Sequence, residues 1–167
     1  MSIKLVTIAG GCFWGMEEII RTLPGVVETT VGYAGGTTEN PTYKEVSQGT
    51  TGHAESVQMK VETAQFDFRD FLTNWFFKMH NPTTPNQQGN DRGSQYRSVI
   101  FYHDGEQRQT AEEVIAQINA EKFWKKPIVT EVREYKGFTP AEDYHQDYLR
   151  KNPGGYTCHF MRTAPET

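Results

Sequence analysis

The residue pattern predicts an α+β fold, a two-layer sandwich in which helices cover one face of a sheet. Three observations carry this. Short β-branched runs alternate with amphipathic segments, Gly and Pro punctuate the joints between them, and no repeat or low-complexity stretch interrupts the chain. A chain of 167 residues with no internal repeat makes one domain, and it can bury a substantial core without metals or several disulfides.

Residues 3–9 (IKLVTIA) read as a strand that enters a turn at Gly10-Gly11. From Phe13 to Leu23 the spacing of Trp14, Ile19, Ile20 and Leu23 is helical, and Pro24-Gly25 stops it. Residues 26–33 form a second strand closed by Gly35-Gly36, and a long stretch rich in Gly, Thr, Asn and Pro follows as loop. In residues 53–62, Val57, Met59 and Val61 alternate with Gln58, Lys60 and Glu62, the pattern of a half-buried strand. Asp67 is placed to cap a helix through Phe68, Phe71, Leu72, Trp75, Phe76 and Met79, an aromatic stripe best read as core. Residues 81–85 are loop. A buried strand is expected over 95–103, an amphipathic helix over 110–122, a strand over 128–135 and a last helix over 140–150. The order up to residue 103 is β-α-β-β-α-β, a ferredoxin-like core with an added helix, strand and helix and long polar loops. Fold alone does not give function.

Lys and Arg number 17 against 21 Asp and Glu, a net charge of -4 that argues against non-specific nucleic-acid binding. No apolar stretch is long enough to cross a bilayer, and no basic region followed by an apolar run and a cleavage site opens the chain. A cytoplasmic location is the default expectation. The two cysteines, Cys12 and Cys158, lie near opposite ends of the sequence. In an oxidising compartment they would read as one structural bridge, in a reducing one as catalytic or redox-active thiols, and two inert buried thiols are the plain alternative.

The informative stretch is GGCFWG, residues 10–15. Two glycines let the backbone turn sharply out of a strand and place Cys12 at or just before the first turn of a helix. Exposed N–H groups and the macrodipole there favour an anion, so a stabilised, reactive thiolate is expected. Phe13 and Trp14 are either packed core or the walls of an apolar pocket that suits a methyl group. If the acceptor is a sulfoxide, a thiolate attacks it poorly unless the oxygen is protonated or strongly hydrogen-bonded, so the site needs an acid and donors. Tyr43, Glu55 and Tyr96 are the candidates, and Glu55 can serve only if burial keeps it protonated. Each also has an ordinary reading, as a solvated carboxylate or a half-buried loop tyrosine. Asp91, in GNDRG, can build an Asx-type turn, a site, or both.

The sequence resembles the A-type peptide methionine sulfoxide reductases. The resemblance is carried, in order across nearly the whole chain, by GGCFWG (10–15), VGYAGG (31–36), NPTY (40–43), GHAE (52–55), QGNDRGSQYRS (88–98), HQDYL (145–149) and NPGGYTCHF (152–160). It implies that Cys12 attacks sulfur, that Glu55 protonates or hydrogen-bonds the oxygen, and that Tyr43 and Tyr96 add hydroxyl donors. It also implies that Phe13 and Trp14 hold the S-methyl group and that Asp91 orders the site and the substrate backbone. Methionine and a Cys12 sulfenic acid would be the first products, and Cys158 would then close a disulfide. The S epimer at sulfur, free or in oxidised proteins, is the implied substrate and thioredoxin the implied reductant. No cofactor, metal, nucleic acid or membrane is implied, and a monomer is expected. Some members carry two further cysteines in a glycine-rich tail. This chain has no third cysteine, so thioredoxin would meet the Cys12–Cys158 bridge directly. Residues 151–167 are then expected to act as a mobile tail of a single catalytic domain spanning 1–167. For the bridge to form, the two Cα atoms must come within about 7 Å, and Gly154-Gly155 gives the tail freedom to do so.

Two other readings compete. A structural metal module could use Cys12, Cys158, His53 and His159, although CxxC or HxxxH spacing is lacking. His53 reads as a structural histidine holding the start of the GHAE strand, and His80, His103 and His145 carry no ligand spacing and read as solvated or packed. A cysteine peroxidase or redox sensor would also form a sulfenic acid, but it has no need of a methyl pocket or a protonated carboxyl.

Overall fold

The computed structural model describes residues 2–166. The chain runs β1 (Ile3–Gly10), α1 (Phe13–Ile20), β2 (Val26–Ala34), α2 (Tyr43–Ser47), β3 (Ala54–Glu62) and α3 (Phe68–Phe71). A π-helical turn (Leu72–Phe76) leads from α3 into α4 (Phe77–Met79). Then come the two-residue strands β4 (Gln87–Gln88) and β5 (Asp91–Arg92), a 3-10 turn (Ser94–Tyr96), β6 (Ser98–Tyr102), α5 (Gly105–Glu121), β7 (Glu131–Glu134), β8 (Thr139–Pro140), a second 3-10 turn (Asp143–His145) and α6 (Tyr148–Lys151).

Six strands form one sheet in the order β7-β6-β1-β3-β2-β8. Its central four, β6-β1-β3-β2, are antiparallel, the arrangement expected of the ferredoxin-like core. β7 joins one edge parallel to β6, and β8 joins the other edge against β2. Strand alternation sorts side chains between two faces. Val6, Ile8, Val31, Tyr33, Val57, Met59, Val61 and Ile100 enter the main core with Phe13, Met16 and Ile20 of α1 and Ala111, Val114 and Ile118 of α5. The opposite face is closed over a smaller cluster of Ala9, Ala34, Ala54, Val99 and Phe101.

Register brings the functional segments to one end of the sheet. Ala9 lies opposite Ser56, Tyr33 opposite Glu55, and Gly10 opposite Ser98. The exit of β1, the exit of β2, the start of β3 and the start of β6 therefore share an edge, and the long loops leaving them converge there.

Several boundaries differ from the sequence reading. The stretch before β3, read as loop, contains α2, closed by a capping box in which Thr42 accepts from the Glu45 N–H and Glu45 accepts from the Thr42 N–H. α5 begins five residues before the expected start because Asp104 caps it, accepting from the Gln107 N–H at 2.8 Å, and its polar first turn shows no apolar period. The expected strand over 95–103 shortens to β6, because residues 94–96 turn instead. The strand expected over 128–135 shortens to β7.

The helix expected over 140–150 is the largest correction. Thr139 and Pro140 pair with β2, and Asp147 takes a left-handed conformation (φ 53°) that interrupts any helix. Gln146 decides this locally. Its side chain accepts from the Val31 N–H at 2.9 Å and donates to the Val31 carbonyl at 2.9 Å and the Ala141 carbonyl at 3.0 Å, extending the sheet edge in place of a backbone strand. Gln146→Ala is expected to lower unfolding stability by about 1–3 kcal/mol in urea titration. An unchanged midpoint would mean that packing alone holds this segment.

Candidate active site

β1 ends in Gly10 and turns at Gly11, whose φ of +99° a side chain would strain. Cys12 follows as the N-cap of α1, as the motif predicts. Its environment departs from the expected one. Cys12 is only 8 % exposed, and burial, reinforced by the charge of Glu55, pushes the thiol pKa well up against the opposing hydrogen bond from the Trp14 backbone. The eight-residue helix does not offset this, so the resting site holds a thiol where the sequence suggested a thiolate.

Burial is the larger cause, and Glu55 adds to it once ionised. Glu55 lies on β3 with the same parity as Val57, Met59 and Val61, so alternation sends its side chain into the main core, and it is 1 % exposed. One carboxyl oxygen, Oε1, accepts from the Phe13 N–H at 3.2 Å, which ties Glu55 to the residue after the nucleophile. The other oxygen, Oε2, is buried and has no hydrogen-bond partner among the described residues. Burial raises the Glu55 pKa to about 8 despite the Phe13 hydrogen bond, with the charge of Asp91 adding to the rise. The carboxyl is therefore mostly protonated at neutral pH, with an O–H free to donate.

Tyr43 comes from α2 and Tyr96 from the 3-10 turn before β6. Burial pushes Tyr43 up to about 12, helped by Glu55 and Cys12, and pushes Tyr96 further, helped by Glu55 and Tyr43. Both phenols stay protonated and so remain donors. These mutual influences put Cys12, Glu55, Tyr43, Tyr96 and Asp91 within electrostatic range of one another.

The aromatic wall is assembled from distant segments. The Phe13 ring lies 5.8 Å from Tyr33 and 6.4 Å from Tyr43, and 5.2 Å from His145. Trp14 is half-buried and stacks on Tyr148 at 3.8 Å, and its indole N–H donates to His145 Nδ1 at 3.0 Å. His145 also lies 4.3 Å from Tyr43. Glu142 holds two of the tyrosines, accepting from the Tyr33 hydroxyl at 2.9 Å and the Tyr43 N–H at 3.0 Å. The sequence reading gave no role to His145, Glu142, Tyr33 or Tyr148. The HQDYL string carried His145 and Tyr148, and VGYAGG carried Tyr33.

Asp91 sits on β5, just after the two-residue turn at Gly89-Asn90. Its carboxylate accepts from the Tyr156 hydroxyl at 3.3 Å and lies 3.8 Å from Cys158 Sγ. Cys158 is half-buried, 3.9 Å from the Gln88 carbonyl, and close enough to raise the Cys12 pKa. Both cysteines are unbridged.

The histidines considered as metal ligands are engaged elsewhere. His53 closes the loop before β3, accepting from the Gly36 N–H at 3.1 Å and meeting the Thr38 carbonyl at 2.7 Å, while His159 contacts the Gly10 carbonyl. Among the described residues no three His, Cys, Asp or Glu side chains gather as a metal-ligand set.

Comparison with known proteins gives the family and the fold. The family model described as peptide methionine sulfoxide reductase matches residues 4–166. A peptide methionine sulfoxide reductase MsrA of Mycolicibacterium gilvum is 51 % identical over 159 residues, covering 95 % of this chain and 91 % of that protein. The reduced crystal structure of Mxr1 from Saccharomyces cerevisiae superposes with a TM-score of 0.90 at 38 % identity, covering 96 % of this chain and 93 % of that one. The structure of Mxr1 in complex with Trx2 is similar at a TM-score of 0.65 and 26 % identity, over 96 % and 91 % of the two chains. By sequence along its length and by fold, the chain belongs to the peptide methionine sulfoxide reductases of the A type.

Proposed function

We propose that this enzyme reduces the S epimer of methionine sulfoxide, free or in oxidised proteins, with Cys12 as nucleophile and Glu55 as acid. The observation that carries the reading is the Glu55 carboxyl, raised in pKa, with one oxygen fixed beside Cys12 and the other without a partner. A buried polar atom left unpaired is costly, and a sulfoxide oxygen is an acceptor of the kind it lacks.

In the first step the Cys12 sulfur attacks the substrate sulfur as Glu55 passes its proton to the oxygen, and the thiol proton returns to the Glu55 carboxylate. The substrate S–O bond then breaks as the hydroxyl passes to the Cys12 sulfur and the transient S–S bond opens, leaving a Cys12 sulfenic acid and free methionine. Because the thiol loses its proton only as the oxygen gains one, a raised thiol pKa in the resting site is compatible with reactivity. Tyr43 and Tyr96 donate to the same oxygen, Phe13 and Trp14 seat the S-methyl group, and Asp91 orders the substrate backbone. Preorganised donors in a buried site stabilise the charge that builds on the oxygen more than water does.

Cys158 then forms a disulfide with Cys12, carried on the tail of a single catalytic domain, residues 151–166 among those described. Thioredoxin reduces this bridge, a role supported by the Trx2 complex of the related yeast protein. The enzyme acts as a monomer, needs no cofactor or metal, and works in the cytoplasm, where a reducing environment suits a catalytic thiol pair. Among the described residues no helix is long and apolar enough to cross a membrane. A peroxidase reading is less well supported, since reduction of a peroxide uses neither the aromatic seat nor the protonated carboxyl. Mass spectrometry after one equivalent of methionine sulfoxide tests the proposal. Methionine and an intramolecular disulfide should form together, and an unchanged protein with no methionine formed would overturn it.

Three variants give separate readouts. Cys12→Ser is expected to abolish reduction, whereas Cys158→Ser releases one equivalent of methionine and then stalls with thioredoxin. Normal cycling of Cys158→Ser would remove Cys158 as the resolving thiol. Glu55→Gln is expected to slow the single-turnover chemical step by about 10²-fold or more with little change in binding. Infrared difference spectra between wild type and Glu55→Gln should show a protonated carboxyl at neutral pH that ionises as the pH rises through about 8. An ionised carboxylate already present below neutral pH would rule Glu55 out as the acid.

A further inference from the structure

The residue after Cys158 is anchored to the turn that carries Cys12. His159 is buried, and its Nε2 lies 2.7 Å from the Gly10 carbonyl. A carbonyl only accepts, so Nε2 carries the ring proton and Nδ1 keeps its lone pair. Burial, against the Gly10 hydrogen bond, lowers the ring pKa to about 4, which leaves the ring neutral under physiological conditions. The His159 N–H donates to Thr157 Oγ1 at 3.1 Å, and Nδ1 lies 4.0 Å from Cys158 Sγ.

The ring fits because two positions beside Cys12 have no side chain. A Cβ on Gly15 would collide with His159 Nδ1 and Thr157 Oγ1, and one on Gly11 would strike the Gln88 side chain first and come within 3.1 Å of His159 Nε2. Gly15 lies inside α1 and has no positive φ, so its backbone does not require glycine. A glycine there weakens the helix by roughly 0.5–1 kcal/mol relative to alanine. Space for the incoming tail is the reason the structure offers for it.

We propose that His159 is the positioning residue of the resolving step, seated in the notch between Gly11 and Gly15 so that Cys158 is held within reach of Cys12. The proposal rests on the assignment of Cys12 and Cys158 made above. In that step the Cys158 sulfur attacks the Cys12 sulfur, the S–O bond of the sulfenic acid breaks, and its hydroxyl leaves with the Cys158 proton as water. Anchoring the neighbouring residue raises the effective concentration of the second thiol, which would otherwise search from the end of a flexible chain.

The test follows one turnover by rapid quench in wild type, His159→Ala, His159→Gln and Gly15→Ala, measuring methionine release and disulfide formation separately and trapping sulfenic acid with dimedone. His159→Ala and Gly15→Ala should release methionine within about twofold of the wild-type rate but form the disulfide roughly tenfold more slowly, the factor one net hydrogen bond supplies. Trapped sulfenic acid should rise to match. His159→Gln, which can still donate to Gly10, should recover much of the rate. Wild-type disulfide rates in both His159→Ala and Gly15→Ala would overturn the dock, as would a loss of methionine release that matches the loss of disulfide formation. Failure of the underlying assignment shows differently, as a wild-type enzyme that releases no methionine.

Discussion

A carboxyl group buried at the start of a central strand sets the terms for the rest of the site. Glu55 has one oxygen on the Phe13 N–H and the other unpaired, in surroundings that raise its pKa to about 8. An ionised carboxylate placed there would lose its hydration and gain a single hydrogen bond, a poor exchange at low dielectric. The protonated form avoids that loss and supplies a donor. The same low dielectric keeps Cys12 a thiol. The resting site thus holds its protons until a substrate oxygen arrives to accept one.

The aromatic wall depends on polar contacts that are remote in sequence. Glu142 holds Tyr33 and Tyr43, and His145 holds the Trp14 indole. Gln146 fastens the intervening segment to the edge of β2. Asp147 then donates its N–H to Glu17 on α1 at 2.8 Å, linking the segment back to the helix that begins at Cys12. A regular helix over residues 140–150 could not make these contacts, because its backbone groups would be spent on one another and its side chains would point around a cylinder. The irregular backbone is what lets one short stretch reach the sheet edge, both tyrosines and α1.

The tail shows a related division of labour. Cys158 rests near Asp91 and Gln88, while His159 is fixed against the Gly10 carbonyl. Farther on, Arg162 donates to the Lys78 carbonyl through its backbone N–H at 3.1 Å and through Nη1 at 3.2 Å. Two anchors just beyond the second thiol fix where it rests relative to the first.

The sequence alone determined the α+β class, the order of the core elements, the place of Cys12 at a helix start and the set of polar groups around it. These are legible because apolar period, Gly and Pro punctuation and caps act over a few residues. The alternation in β3 also contained the burial of Glu55, since counting back from Val57 by two places it on the core side. The state of the thiol, the roles of His145 and Glu142, the broken segment over 140–150 and the seating of His159 were decided only by the tertiary structure. Each depends on how much water is removed from a group and on which partner meets it from far along the chain, and no local pattern encodes either.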